Sequence, residues 1–223
     1  GRSGLAIGVL HTLFDSLTIL FLYLIGCKLF QKGTFRGQPM GQWVGAGAAL
    51  FTAFYPYLIF QNLTLNDTAL YMCLLYGFLW LMIILREQKT MSWRALLIAI
   101  VAGFVLGISA LSRALLPLLA LFVALWFLFR LSLWQSILRL LPVALVSIIV
   151  IMPWMLRNYQ LYDEIVTIAL NSGENVYQGA NDMTVPLFQA GYDVQWSDPP
   201  PNWVDEGFYE RNAALLEIGL AYY

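Results

Sequence analysis

Long apolar runs that carry almost no charge dominate this chain. One of them, LPVALVSIIVIM at positions 141–152, contains no charged residue. Hydrophobic residues make up 60% of the 223 residues and charged residues only 11%, and the mean hydropathy is +0.71. Since charged residues make up about 25% of a typical soluble domain, this composition excludes that class. We predict an integral membrane protein.

Several of these runs are long enough to cross a bilayer as helices. A hydrocarbon core of about 30 Å requires roughly 20 apolar helical residues, and the runs are continuous rather than alternating, which favours helix over strand. We predict an all-α, polytopic membrane helix bundle with about six transmembrane helices, at 5–30, 43–60, 68–85, 95–111, 114–130 and 137–156. Only Ser112 and Arg113 join the fourth and fifth, which predicts a tight re-entrant hairpin or two tilted helices of half length.

The distribution of basic residues predicts an orientation. Eight of the twelve are Lys28, Lys32, Arg36, Arg86, Lys89, Arg94, Arg130 and Arg139, which lie in three of the connecting segments or at the adjoining ends of the spans. Because cytoplasmic loops of membrane proteins are enriched in Lys and Arg, we predict that these segments face the cytoplasm. Residues 61–67, the turn at Ser112 and Arg113, and the chain beyond Arg157 are then predicted to lie outside.

The predicted organisation has three parts. Residues 1–156 form the transmembrane bundle, whose last helix is predicted to stop at Pro153 and Trp154. Residues 157–210 form an extracytoplasmic loop region rich in Asp, Glu, Asn, Gly and Pro, and residues 211–223 begin a further helix. Because the chain starts without Met and stops inside that apolar helix, we predict that it is a fragment.

Two arginines, Arg113 and Arg157, are predicted to lie at the outer boundary of the membrane. A guanidinium group in that position can extend to lipid headgroups, or it can bind a phosphate through two parallel hydrogen bonds. Arg113 also precedes a helix N-terminus, where backbone N–H groups favour an anion. Both alternatives are open, and the second predicts a donor-phosphate-binding site made by Arg113 and Arg157.

Acidic side chains in the outer half of the bundle have local and functional interpretations. Asp67 opens the third predicted helix, where it can cap the N-terminus. It can also present a carboxylate to an external pocket as a catalytic acid, a metal ligand or an acceptor for a substrate hydroxyl. His11 and Asp15 share one face of the first helix, and we predict a satisfied polar pair, with a catalytic pair as the alternative.

The segment PWMLRNYQLYDEIVTIALNSGENVYQGAND at 153–182 carries a recognisable pattern. It resembles the signature after a late membrane helix in bacterial C-type (GT-C) glycosyltransferases, the group of aminoarabinose transferase and protein O-mannosyltransferase relatives. The matching residues are Pro153, Trp154, Arg157, Asn158, Asn171, Gly173, Asn175 and Gly179. Ala180 departs from the pattern, since the family usually has Asn there. Upstream, the Tyr-Pro at 55–56, the acid at 67 and GFVLGISALSR at 103–113 are similar to family elements in the same order.

This resemblance implies a GT-C-like fold and inverting transfer of a sugar from a polyprenyl-phosphate donor to a glycan, lipid or protein acceptor. The reaction would take place at the outer face of the bacterial plasma membrane. The family's catalytic carboxylate is expected in a first external loop upstream of Gly1, with Asp67 as the catalytic candidate within the chain. The candidate substrate-binding residues are Asn158, Asn171, Glu174 and Asn175. For the asparagines, loop capping and turn formation are the alternative.

Other sequence signals leave the cofactor and competing functions open. The chain has no P-loop, dinucleotide-binding turn or Cys/His cluster, and a divalent metal, Mg²⁺ or Mn²⁺, held partly by Asp67 and Glu174, is an open alternative. The predicted partners are the donor lipid, the acceptor and the membrane, with no nucleic acid. A secondary transporter, a lipid flippase and a non-catalytic scaffold are the competing functions. The helices contain few ionisable residues beyond His11 and Asp15, which favours an enzyme working at one face.

Overall fold

The computed structural model describes residues 4–64, 66–113, 115–163, 165, 172–192 and 207–222. The chain divides into two units, Gly1–Pro153 and Trp154–Tyr223. In the described residues, the regular structure is helical except for a small antiparallel pair, β1 (Thr34–Phe35) with β2 (Gln38–Pro39). The prediction of an α-helical chain is therefore confirmed.

Among the described residues, seven helices begin in the first unit. They are α1 (Gly4–Leu29), α2 (Met40–Ala53), α3 (Pro56–Gln61), α4 (Thr68–Glu87), α5 (Trp93–Ser112), α6 (Leu115–Leu128) and α7 (Leu133–Tyr162). Four of these, α1, α4, α5 and α7, are long and apolar enough to cross a membrane, and α6 is a shorter apolar helix.

The second and fifth predicted spans differ from the observed helices. The span at 43–60 is interrupted, because α2 ends at Ala53 and α3 begins at Pro56. Proline lacks an N–H group and disfavours the helical conformation in the residue before it, and Tyr55 is accordingly extended, with φ −73° and ψ 112°. α6 has only 14 residues, about 21 Å at 1.5 Å per residue. α5 is a full 20-residue helix, so the half-length alternative is wrong for it.

The predicted stop at Pro153 and Trp154 is also wrong. α7 is 30 residues long, and it contains both Pro142 and Pro153. A proline removes one backbone hydrogen bond from a helix. The helix nevertheless continues through Pro153 to Tyr162, because the neighbouring turns keep their own hydrogen bonds. Asp163 follows with a φ of +54°, a left-handed conformation that Asp tolerates better than most residues and that commonly ends helices.

Glycines bring helices of the first unit into close contact. A β-carbon built on Gly26 of α1 would lie 2.5 Å from the Cα atom of Gly45 in α2. A β-carbon on Gly107 of α5 would lie 2.7 Å from the Cβ atom of Val150 in α7. Small residues favour helix association in membranes, since they allow the backbones to approach closely. These glycines therefore fix α1 against α2 and α5 against α7.

A buried arginine joins the beginning of α7 to the end of α4. Arg139 is 3% exposed. Its Nη2 donates to the carbonyl oxygen of Gln88 at 2.6 Å, and its Nη1 donates to that of Gln135 at 2.9 Å. The sequence predicts Arg139 at the cytoplasmic end of the sixth span, and the structure places it inside α7. Carbonyl groups at a helix C-terminus attract a cation, which explains why a charged side chain is accommodated there.

The second unit contains three further helices among its described residues. They are α8 (Ser172–Gly179), α9 (Thr184–Gln189) and α10 (Phe208–Ala221). α8 packs against α10, and the backbone N–H of Gly173 donates to Oδ1 of Asn212 at 2.8 Å. The region 157–210, predicted as a loop, therefore contains short helices, and the predicted last helix begins at Phe208.

Candidate functional site

Asp67 and Arg113 form a bidentate ion pair in the first unit. Arg113 donates from Nε to Oδ2 of Asp67 at 2.9 Å and from Nη2 to Oδ1 at 2.7 Å. The Arg113 side chain is 45% exposed and that of Asp67 is 40% exposed, so the pair is accessible to solvent. The same forked geometry allows a guanidinium group to bind phosphate oxygens.

The hairpin of α4 and α5 brings these two residues together. Asp67 directly precedes α4 and Arg113 directly follows α5, and a five-residue connection, 88–92, joins the other ends of the two helices. Because the helices run in opposite directions, the start of one lies beside the end of the other. The pair shows that Asp67 and the Ser112–Arg113 turn share one end of the hairpin, as the sequence predicts.

The capping role predicted for Asp67 is only half correct. Asp67 occupies the N-cap position of α4, but its side chain makes no capping hydrogen bond. Oδ1 of Asn66 instead accepts from the backbone N–H of Thr68 at 3.0 Å. The Asp67 carboxylate therefore serves a contact between helices rather than the local end of α4.

Three neighbouring residues complete the site, and none of them is predicted from the sequence. Oγ of Ser112 donates to Oδ2 of Asp67 at 3.0 Å, and Nη2 of Arg113 donates to Oγ1 of Thr68 at 3.2 Å. The guanidinium carbon of Arg113 lies 5.3 Å from the ring centroid of Tyr71, within the range of a cation–π contact. The sequence signals for Thr68 and Ser112 were the Asp-Thr and Ser-Arg dipeptides at the ends of apolar runs. We call Asp67, Thr68, Tyr71, Ser112 and Arg113 the Asp67 cluster.

The ion pair favours the charged form of both partners. The hydrogen bond from Arg113 lowers the pKa of the Asp67 carboxyl, against the opposing effect of burial. The same bond raises the pKa of Arg113. A carboxylate whose pKa is lowered is a weak general base near neutral pH, so Asp67 is better suited to holding Arg113. Nη1 of Arg113 has no hydrogen-bond partner among the described residues and can donate to an additional anion.

Arg157, the other predicted phosphate-binding residue, belongs to the second unit. It lies in the last turns of α7 and is exposed. Its guanidinium carbon is 5.7 Å from the ring centroid of Trp154, which precedes it by three residues and so shares its helix face. Arg157 is therefore presented by a helix and not by the loop that the sequence predicts.

The predicted substrate-binding residues differ in their exposure. Asn158 is in α7 and only 3% exposed, so its amide group is held within the protein. Glu174 and Asn175 are exposed near the start of α8, and both can therefore contact a solute. Asn171 lies outside the described residues.

His11 and Asp15 do not form the predicted polar pair. Oδ2 of Asp15 accepts from Nδ2 of Asn62 at 2.5 Å, and Nδ1 of His11 is buried without a hydrogen-bond partner among the described residues. Asp15 and Asn62 line a cavity of about 350 Å³ together with three hydroxyl side chains, those of Thr12, Ser16 and Thr52. The polar partner of Asp15 thus comes from the end of α3 and not from its own helix.

The described residues contain no group of three or more His, Cys, Asp and Glu side chains that could hold a metal ion. Asp67, one of the two predicted metal ligands, is instead paired with the cation Arg113.

The fold and the Asp67 cluster define a helical membrane protein with an ionised pair at one end of a helical hairpin. Comparison with protein-family models, with curated proteins and with solved structures gives no match to this chain.

Proposed function

We propose that the protein is a membrane glycosyltransferase that takes its sugar from a polyprenyl-phosphate donor at the extracytoplasmic face. The Asp67 cluster carries this proposal. It holds an arginine with an available donor at the end of two apolar helices, each of 20 residues. The phosphate of a lipid donor lies at the water boundary of the membrane, which is also where the ends of spanning helices lie.

The proposed chemistry requires a fixed cation beside the phosphate. A hydroxyl oxygen of the acceptor attacks the anomeric carbon of the sugar, and the bond from that carbon to the phosphate oxygen breaks. The electron pair leaves with the polyprenyl phosphate, and the hydroxyl proton passes to a general base. Since negative charge grows on the leaving phosphate, hydrogen-bond donors already held there lower the barrier.

In this proposal, each member of the Asp67 cluster has a defined task. Arg113 contacts the donor phosphate through Nη1, while its Nε and Nη2 remain bonded to Asp67. Asp67 is a positioning residue, and Ser112 orients it through a further hydrogen bond. A guanidinium group held on two sides loses little conformational freedom when an anion binds, which favours affinity.

The residues of the second unit have proposed roles that follow from the resemblance and from their exposure. Arg157 is a second candidate for binding phosphate. Glu174 and Asn175 are exposed and offer oxygen and amide groups to sugar hydroxyls. Asn158 is buried and is assigned a positioning role, and the resemblance alone assigns substrate contact to Asn171.

The test is the release of polyprenyl phosphate from a polyprenyl-phosphate sugar by the protein in proteoliposomes that also contain cell-envelope glycolipids and proteins as acceptors. We expect Arg113→Ala to lower the rate roughly 100-fold. Arg113→Lys should recover only part of it, because an ammonium group cannot hold both Asp67 oxygens and still offer a rigid donor to phosphate. Arg94→Ala is the matched control, since Arg94 is exposed at the opposite end of the hairpin.

Two results would contradict the proposal in different ways. Equal rates in the wild-type protein and all three variants would show that Arg113 does not bind the donor phosphate. Movement of the intact donor across the bilayer, without release of polyprenyl phosphate, would indicate that the protein is a transporter or flippase and not a transferase.

A further inference from the structure

A second charged site lies in the first unit, at the end of α4 opposite the Asp67 cluster. It is a cavity of about 770 Å³. Its charged side chains come from the end of α1 (Lys28), the connection after it (Lys32), the end of α4 (Arg86 and Glu87) and the connection after α6 (Arg130). We call this cavity the basic pocket.

The basic pocket has an excess of positive charge. Nζ of Lys28 lies 2.7 Å from Oε2 of Glu87, which neutralises one of its four cations. Among the described residues that line the pocket, Glu87 is the only acid, so Lys32, Arg86 and Arg130 have no carboxylate of the pocket to balance them. Cations gathered in one concavity focus their field on it, and this favours an anion there.

One of these cations is held in place by an aromatic ring. The guanidinium carbon of Arg86 lies 3.6 Å from the ring centroid of Trp126, a close cation–π contact. Arg86 is also partly buried. A guanidinium group fixed in this way can receive an anion without first losing much side-chain freedom.

Apolar side chains lie beside these charges. Leu29, Phe30 and Phe129 also line the basic pocket, and they are 56%, 46% and 83% exposed. A small inorganic anion gains nothing from such neighbours, whereas the acyl chains of a phospholipid can cover them. The combination of cations and exposed apolar groups at helix ends is that of a site for an anionic lipid.

We propose that the basic pocket binds the phosphate headgroup of an anionic phospholipid in the leaflet that it faces, with its acyl chains against the apolar side chains. Basic residues on the predicted cytoplasmic side also set orientation, but that role does not require them to share a cavity. Four of the eight basic residues on that side line this one cavity, and the ring of Trp126 packs against one of them, Arg86. This proposal does not depend on the glycosyltransferase activity.

The test is lipid binding by the purified chain in a nonionic detergent, followed by native mass spectrometry during titration with phosphatidylglycerol or phosphatidylcholine. We expect saturable retention of phosphatidylglycerol and not of phosphatidylcholine. Each Lys or Arg near an anionic headgroup contributes about fivefold, so the Lys32→Gln/Arg130→Gln double variant should bind roughly 25-fold more weakly. Both residues are exposed, which makes these substitutions mild for folding.

The matched control is Lys89→Gln/Arg94→Gln, which removes the same charge from exposed positions on the same predicted side, outside the pocket. It should bind like the wild-type protein, and equal weakening in both double variants would overturn the proposal in favour of diffuse attraction. Glu87→Gln removes the pocket's carboxylate and should tighten binding severalfold. Displacement of phosphatidylglycerol by millimolar inorganic phosphate would overturn the lipid assignment and indicate a site for a soluble phosphate compound.

Discussion

A β-carbon built on Gly103 of α5 would lie 2.5 Å from the carbonyl oxygen of Val143 in α7. Real side-chain carbons do not approach backbone oxygens this closely, so any residue larger than glycine must move one of the two helices. Gly107 makes the same kind of contact one turn later, beside Val150. The Gly-x-x-x-Gly spacing thus sets the distance between α5 and α7.

Gly103→Ala should destabilise the protein by about 1–3 kcal/mol, because the added methyl group overpacks the contact. Thermal unfolding in a nonionic detergent measures this. Gly8→Ala is the control, since no atom of the described residues lies within 4 Å of a β-carbon on Gly8 in α1. That change should stabilise by up to about 1 kcal/mol through helix propensity. Stabilisation by both changes would show that α5 and α7 are not in contact at Gly103.

The stability of the protein should depend on the ionisation of Asp67 at low pH. Its pKa is lowered in the folded protein from an ordinary value of 3.8, so its contribution is present above that value and is lost as the pH falls through the lowered pKa. The difference in Tm between the wild type and Asp67→Asn should therefore be constant from about pH 8 to 5 and shrink below about pH 4. The difference should be small, because exposed pairs are weak.

The control for this pH effect is the same comparison in an Arg113→Gln background. Without the guanidinium group, the largest cause of the lowered pKa is gone and only the hydrogen bonds from Ser112 and the backbone still lower it, so Asp67→Asn should then have a weaker pH-dependent effect. The same pH profile in both backgrounds would assign the effect to a group other than the Asp67–Arg113 pair.

Arg157→Ala should lower the use of the lipid donor strongly while leaving the thermal unfolding temperature nearly unchanged, because Arg157 is exposed. Arg157→Lys should restore part of the activity, since lysine keeps the charge but not the fork of donors. The rate of polyprenyl phosphate release measures this. Full activity of Arg157→Ala would leave Arg113 as the proposed phosphate ligand and Arg157 as a side chain that extends to lipid headgroups.

The predicted orientation can be tested by cysteine labelling at the two ends of α4. Leu63 precedes this helix and is 82% exposed, while Thr90 follows it and is also exposed. With Cys27 and Cys73 replaced by Ala, Leu63→Cys should react with a membrane-impermeant maleimide in intact cells. Thr90→Cys should react only after lysis. The opposite pattern would invert the orientation and place the Asp67 cluster in the cytoplasm.

The sequence predicted α4 and α5 well because their signals are local. The expected bounds of 68–85 and 95–111 differ from Thr68–Glu87 and Trp93–Ser112 by at most two residues at each end. Both helices are continuous apolar runs with polar residues directly before them, and Ser92 accepts a hydrogen bond from the N–H of Ala95 at 3.4 Å. Periodicity and composition are sufficient to predict the bounds of a helix where such an apolar run is isolated.

Proline shows where local signals become insufficient. Pro56 separates α2 from α3, whereas Pro153 lies inside α7. The residue type is the same, but the residue before Pro56 is extended and the turns around Pro153 continue the helix. Which outcome occurs depends on the packing of the flanking turns, and no short segment of sequence contains that information.

The site was predicted in part for the same reason. Asp67 and Arg113 are both recognisable as charged residues at the ends of apolar runs, but they are 46 residues apart in the chain. Their forked pairing requires the hairpin geometry, and so does the hydrogen bond from Ser112. The sequence therefore identified Asp67 and Arg113 as site residues but did not show that Asp67 holds Arg113 in place.

The bond from Arg139 to the carbonyl oxygen of Gln88 spans 51 residues, and this has a consequence for biosynthesis. The ribosome completes α4, α5 and α6 before it reaches Arg139. The guanidinium group that binds the carbonyl oxygen at the end of α4 is therefore the last part of this contact to be synthesised. The contact can form only once the start of α7 has been made.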